Sequence, residues 1–177
     1  MRQHAEIQAA VYRDALTGTA NRAGLQRFIQ DNGAGDLLLA IADLGDLSAI
    51  NVVRGHRAGD RMLRSIARRL KVFAAGAGCV ANLGGGSIAI AHDAGSHDHA
   101  EFASALHAAL RRPVRIDGET ITPDIRIGWT TGQRADGDDL IHAAEAAVRA
   151  AKRQPGTNAI YGFDREIRRA ERERARL

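Results

Sequence analysis

The chain has 177 residues, 45% hydrophobic and 26% charged, with a formal net charge of +4. That length holds one domain of about 150 residues plus about one further helix, and excludes a large multidomain enzyme. Its 34 alanines outnumber its 14 leucines and 14 isoleucines, so the core is lean, yet the modest net charge still favours a folded domain over a disordered one.

Residues 1–12 set Ile7 and Val11 at helical spacing among polar residues, an entering helix. "DALTGTANRAGL" supplies turn residues and an N-cap, Asn21, for a helix through Gln30. "DLLLAIAD" (36–43) is a continuous apolar run ending in an acid, the pattern of a buried central strand. A short helix from Leu47 to Val53 precedes "GHRAGDRMLRSIARRLKVF", which puts Met62, Leu63, Ile66, Leu70 and Phe73 on one face with arginines opposite. "GCVANLGGGSIAIAH" predicts two short strands joined through three consecutive glycines, a turn of unusual backbone freedom. A helix over 98–111 follows. In "RPVRIDGETITPDIRIGWTTG", Asp117-Gly118 is a type I′ hairpin signal between two strands. "DGDDLIHAAEAAVRAAKR" opens on acids and reads as a helix stopped by Pro155-Gly156. "NAIYGF" gives a last short strand, and the tail from Asp164 to Leu177, with six arginines and four acids, a solvated helix of marginal stability. Hairpins mixed with crossover helices predict an α+β fold, helices packed on a mostly antiparallel sheet.

Four of these segments stand in a telling order: "DALTGTANR" (14–22), "ADLGDLSAINVVRGHRAGDRML" (42–63), "NLGGGSIAI" (82–90) and "DLIHAAEAAVRAAK" (139–152). On them the sequence resembles the GGDEF domain family, the bacterial diguanylate cyclases. The first is similar to that family's D-x-L-T-G-L-x-N-R. The second matches its D-x-D-x-F-K-x-I-N-D-x-x-G-H-x-x-G-D-x-x-L at Asp43, Ile50, Asn51, Gly55, His56, Gly59, Asp60 and Leu63. The third falls where the family carries R-x-G-G-D/E-E-F, and the fourth resembles L-x-x-A-D-x-A-L-Y-x-A-K. The resemblance implies a nucleotidyl-cyclase fold, palm-like and ferredoxin-like, in which two GTP-bearing subunits meet face to face to make cyclic di-GMP. Divalent cations such as Mg²⁺, held by carboxylates, polarise the phosphate there.

The resemblance also assigns roles. Asn51 and Asp60 take the positions that bind guanine, an amide offering donor and acceptor and a carboxylate accepting from the ring N–H and exocyclic amine. Apart from the resemblance, Asn51 reads equally as a helix cap and Asp60 as a solvated first-turn acid. His56 is expected to be structural. Asp43 takes the first metal-binding position, but the second is Gly45, and the signature reads Gly84-Gly85-Gly86-Ser87-Ile88, so both of its acids are replaced, by Gly86 and Ser87. Glycine supplies no ligand and a serine hydroxyl is a poor one for a hard cation. Losing ~4 kcal/mol of transition-state stabilisation slows a reaction roughly a thousandfold, so Mg²⁺ binding is expected to be weak or absent and the signature hairpin not catalytic. Asp46, three residues beyond Asp43, is the one candidate to replace a lost ligand. The family's Lys after Phe is Ser48; Lys152 matches its late phosphate-binding Lys, while Thr157 stands where a second cation belongs. The product-binding R-x-x-D corresponds to Ala75-Gly76-Ala77-Gly78, which holds no arginine.

Elsewhere the sequence offers less. His97 and His99 flank Asp98 in a polar loop and read as solvated. The three glycines lack the Lys-Ser/Thr and helix of a P-loop. Trp129 reads as core or interface, and Cys79 as a small buried hydrophobe. A single cysteine closes no intrachain disulfide, which suits a reducing cytosol. No apolar run approaches the ~18 residues of a membrane span, and no signal-peptide core opens the chain. Only Lys71 and Lys152 are lysines, and no aromatics interleave a basic stripe, so no nucleic-acid partner is expected. Residues 1–13 resemble a signalling linker helix, 14–163 the GGDEF-like domain, and 164–177 the linker that leads into an EAL phosphodiesterase domain. The expectation is a domain excised from a GGDEF-EAL protein: a degenerate, catalytically inactive cyclase that senses GTP, modulates the neighbouring phosphodiesterase and can form a homodimer. The alternatives are a residual diguanylate cyclase and a structural dimerisation domain that binds no nucleotide.

Overall fold

In the computed structural model, which describes residues 11–31, 34–95, 98–154 and 160–164, the apolar run is strand β1 (Asp36–Leu44), buried at every residue after Asp36. The burial has a simple cause. β1 is the middle of a five-stranded sheet, with β2 (Gly78–Gly84) and β3 (Ser87–Asp93) on one side and β6 (Ile125–Gln133) and β7 (Ile160–Asp164) on the other, in the order β2-β3-β1-β6-β7. All pairings are antiparallel except β6 with β7. The architecture is therefore the expected α+β one, a mostly antiparallel sheet flanked by helices.

Alternate residues of β1 serve two cores, as the period of a strand requires. Leu37, Leu39 and Ile41 pack with α1 (Arg22–Asp31) and α5 (Gly137–Arg153). Leu38, Ala40, Ala42 and Leu44 face α2 (Leu47–Arg54), α3 (His56–Ala74) and α4 (His99–Leu110). Met62, Ile66 and Leu70 form the fully buried stripe of α3, with Leu63 and Phe73 packed at its margin. Asn21 caps α1 as predicted, its Oδ1 accepting from Gly24 N–H at 2.9 Å. Asp98 does the same for α4, accepting from the N–H groups of Ala100 and Glu101. At the other end of α4, the Arg69 guanidinium of α3 donates to the carbonyl of Leu110, the last helical residue, and to those of Arg112 and Pro113 in the segment that follows.

The leading motif is a structural clasp. Asp14 Oδ1 accepts from Thr17 N–H, the Thr17 hydroxyl and Asn82 Nδ2. Burial alone would raise this carboxyl, but those hydrogen bonds outweigh it and hold the pKa below its ordinary value. The clasp lays Ala20 along β2, where Ala20 N–H donates to Val80 and Asn82 N–H to Ala20, closing part of the sheet's edge.

The second hairpin differs from expectation in one respect. Asp117 (φ +52°) and Gly118 (φ +85°) make the left-handed pair that a type I′ turn needs. The strands they join, β4 (Val114–Ile116) and β5 (Glu119–Ile121), form a separate two-stranded sheet. The chain breaks at Pro123, and Ile125–Gln133 then runs on as a distinct strand in the main sheet, since proline can donate no ladder hydrogen bond. Trp129 is core. Cys79 is half-buried, and burial pushes its thiol up to about 11, which suits the inert role expected of it. Among the described residues no helix is long and apolar enough to cross a membrane. The N-terminal residues 1–10, His97, Pro155-Gly156, Thr157 and the tail 165–177 lie outside the described residues.

Candidate functional site

Register decides what surrounds Asp43. On β1 it pairs with Ser87 of β3 and Arg126 of β6, while Ile41, two residues earlier, pairs with Gly128. Helix α5 rests directly on Gly128: a Cβ there would lie 2.2 Å from Val148 N, so only glycine allows this approach. Lys152 is one turn beyond Val148 on the same helix face, and the close seating delivers it to the end of β1. Lys152 Nζ stands 2.9 Å from Asp43 Oδ2, and Ser87 Oγ donates to Asp43 Oδ1 at 2.8 Å. The Asp43 side chain is only 5% exposed. Both of its oxygens are thus engaged by groups of this chain.

These three residues share a cleft of about 300 Å³ with Gly84, Arg22, Glu145 and Arg149. Arg22 of α1 reaches across to Glu145 of α5 at 2.5 Å. Arg149, outside the motif matches, belongs to the site as well, and its spacing is the signal: it lies three residues before Lys152, on the helix face that reaches the same cleft. Among the described residues no group of three or more His, Cys, Asp or Glu side chains gathers as a metal would require.

Gly45, where the resemblance places a second carboxylate, is occupied by something else. Arg126 and Asp124 form an ion pair at 2.8 Å, and a Cβ at Gly45 would lie 2.0 Å from Arg126 Nη1 and 2.6 Å from Asp124 Oδ2. Asp46 belongs to this group too. It starts α2, with Oδ2 3.5 Å from Asp124 N and Oδ1 buried without a hydrogen-bond partner. Burial, with Asp124 adding repulsion, raises its carboxyl above the ordinary range despite the N–H of Asp124 and nearby Arg126. It does not line the cleft that holds Asp43.

The signature hairpin is a continuous left-handed run, Gly84, Gly85 and Gly86 having φ of +84°, +60° and +89°. Gly86 is fixed from both sides: its carbonyl accepts from Leu44 N–H at 3.1 Å, and a Cβ would meet Leu47 Cδ2 at 3.2 Å. Leu47 in turn lies near Gly59, where a Cβ would be 3.2 Å from its Cδ1 and 1.9 Å from Asn51 Oδ1. Asn51 sits inside α2 and does not cap it. Its amide covers Gly59, and its Oδ1 is buried with no hydrogen-bond partner. Asp60 follows Gly59 on α3, half-buried. The chain therefore brings Asp43, Ser87, Gly84 and Lys152 into one cleft, and sets Asn51 beside the Gly59-Asp60 turn of α3 on the other side of the hairpin. His56 opens α3 and is exposed. His99 approaches the Ala94 carbonyl at 3.2 Å and lies against Trp129.

Comparison with known proteins places this arrangement. The family model described as "Diguanylate cyclase, GGDEF domain" matches residues 11–158. An uncharacterized protein of Mycobacterium tuberculosis is 34% identical over 164 residues, covering 87% of this chain and 26% of that protein. The diguanylate cyclase TpbB of Pseudomonas aeruginosa is 32% identical over 163 residues, covering 86% of this chain and 38% of the cyclase. The chain thus spans between a quarter and two-fifths of the length of these relatives. A solved structure comprising only the GGDEF domain of TpbB from Pseudomonas aeruginosa superposes with a TM-score of 0.73 at 27% identity, covering 90% of this chain and 99% of that one.

Proposed function

The chain belongs to the GGDEF domain family of cyclic di-GMP signalling, and from that premise we propose that it is a catalytically silent member, a GTP-sensing regulatory domain. The observation that carries this reading is the Asp43 carboxylate, which is spent on Lys152 and Ser87. The family uses Mg²⁺, a hard cation that wants about six oxygen ligands in octahedral array. The residues here do not fit it. One carboxylate remains at the end of β1 with an ammonium already against it, Glu145 is tied to Arg22, and Arg126 fills the space beside Gly45. No step of phosphoryl chemistry is therefore assigned to the cleft.

What the chain's own residues can do is bind. Asn51 Oδ1, buried and unpartnered, costs about 1–3 kcal/mol until a donor reaches it. A guanine edge supplies such a donor, and Asp60 accepts from the neighbouring ring N–H and exocyclic amine. Lys152 and the cations beside it take the phosphate end. The bound domain then acts in the cytoplasm on an adjacent EAL-type phosphodiesterase domain, entered through the linker from Asp164, with a homodimer as one available assembly.

The test is calorimetric titration of the chain with GTP, with and without Mg²⁺, alongside chromatography for cyclic di-GMP after incubation. The expected result is GTP binding, lost in Asn51→Ala and Asp60→Ala, with no product above a no-enzyme blank. Product well above the blank overturns the silent reading; binding that survives both substitutions overturns the guanine site. An immediate stop codon after Leu177 in the parent gene overturns the phosphodiesterase partner.

A further inference from the structure

Three cations converge on the Asp43 cleft from two helices. Lys152 and Arg149 stand on one face of α5, and Arg22 approaches from α1. Two carboxylates face them, Asp43 and Glu145, each already paired, with Lys152 at 2.9 Å and with Arg22 at 2.5 Å. Arg149 is one turn from Glu145, a spacing that favours an ion pair, yet Glu145 turns to Arg22, and among the described residues Arg149 has no ion-pair partner. Among its described residues the cleft thus carries one positive charge beyond what their acids balance, on an exposed guanidinium. At about 300 Å³ it stands at the small end of ligand pockets, the size for a phosphate chain more than for a whole nucleotide.

We infer that this cleft is a metal-independent polyphosphate site, in which the Lys152 ammonium stands where the family holds a divalent cation and Arg149 supplies the second grip. The inference rests on the proposed reading that the cleft takes the phosphate end of GTP. Lys152 neutralises Asp43, which would otherwise repel an anion, and keeps two further N–H donors. Arg149 offers a planar fork that matches two phosphate oxygens at once, so it replaces charge and geometry together. Arg22, steered by Glu145, closes the opposite wall.

The measurement is calorimetric titration of the 177-residue chain with inorganic tripolyphosphate, in EDTA and in excess Mg²⁺. Binding is expected in EDTA, with no gain from Mg²⁺. Arg149→Ala should weaken it about tenfold, the scale of one charge-assisted hydrogen-bonded contact. Asp43→Asn, nearly isosteric and able to keep the Ser87 contact, should strengthen it severalfold by releasing Lys152. A metal-dependent site gives the opposite signs: binding only in Mg²⁺, no effect of Arg149→Ala, and loss in Asp43→Asn; any of these overturns the inference. Thermal melts of both variants verify that each is folded. Two further outcomes separate this inference from the guanine site. GTP binding that is lost in Asn51→Ala, without any binding of tripolyphosphate, overturns the metal-independent site alone. Tripolyphosphate bound as tightly as GTP supports the site and overturns only the reading of the base.

Discussion

Arg126 occupies the space that a side chain at Gly45 would need: its Nη1 stands 2.0 Å from where a Cβ would be, held there by Asp124 at 2.8 Å. A position that the family resemblance assigns to an acid is filled here by a base from a neighbouring strand. The pair is mostly buried, and Arg126 also faces Asp46, whose own carboxyl is pushed toward the neutral form by burial.

Replacing Gly45 by Ala or Asp should therefore cost stability by displacing the Arg126–Asp124 pair. Both atoms met are the ends of side chains, so they can move, and the cost should be about 1 kcal/mol. For a chain of this size that lowers the melting temperature by roughly 2–4 °C. In an Arg126→Ala background the same substitution should cost much less. An additive double-mutant cycle would show that the two residues do not compete for the space.

Putting an acid back at Gly86 meets a different obstacle. The position has φ +89° and faces Leu47 Cδ2 at 3.2 Å from an added Cβ. A left-handed conformation costs an L-residue about 1–2 kcal/mol, so Gly86→Glu should melt roughly 3–6 °C lower. Combined with Ser87→Glu it should still form no cyclic di-GMP, because Lys152 remains on Asp43, Arg126 beside Gly45, and Ser48 carries no charge. Full recovery of cyclase activity, read by chromatography, would show that the hairpin acids alone set the rate.

Local pattern made much of the fold legible. The run 36–43 is buried because it has neighbours on both edges and helices on both faces, and its apolar continuity says so. The Asn21 cap and the Asp117-Gly118 turn depend on residues within a few positions of each other, and both stand where the sequence puts them. Pro123 was the clue to the break before β6, outweighed by the hairpin pattern that runs across it. The site was legible in its parts only. Nothing local ties Lys152 to Asp43 across more than a hundred residues, and the resemblance, which gives the lysine to phosphate, points away from that pairing. Arg126 was invisible for a related reason, whereas the spacing of Arg149 from Lys152 was in plain view. Arg126 matters through what a missing side chain at Gly45 leaves open, a property of packing and not of spacing.

Gly59 offers a way to disturb Asn51 without touching it. A Cβ at this position would lie 1.9 Å from Asn51 Oδ1 and 2.9 Å from its Cγ. Gly59→Ala gains about 1 kcal/mol of helix propensity in α3, which offsets the crowding against a movable amide. The variant should melt within a few degrees of the parent while its GTP affinity falls with the displaced Asn51. Unchanged GTP affinity, with the parent's stability, would separate Asn51 from ligand recognition. Tripolyphosphate binding should be unaffected, since Gly59 does not line the Asp43 cleft.

His107 gives the domain a pH dependence whose sign follows from its burial. Its Nε2 donates to the Ile125 carbonyl at 3.2 Å, tying α4 to the first residue of β6. Burial lowers its pKa below the ordinary 6.5, and Arg111 at the C-cap of the helix adds to the effect, while the Ile125 carbonyl and Asp124 oppose it. Just below pH 6.5 the unfolded chain binds this proton more readily than the native one, so stability rises with pH through that window and levels off above it. Acidification from about pH 7 to about pH 5 should lower the melting temperature, and His107→Gln, which has an amide that can still donate to Ile125, should flatten that part of the profile. The rest of the chain is the same in both proteins, so the difference between the two curves isolates His107. A profile for His107→Gln parallel to the parent's would remove this residue as the source.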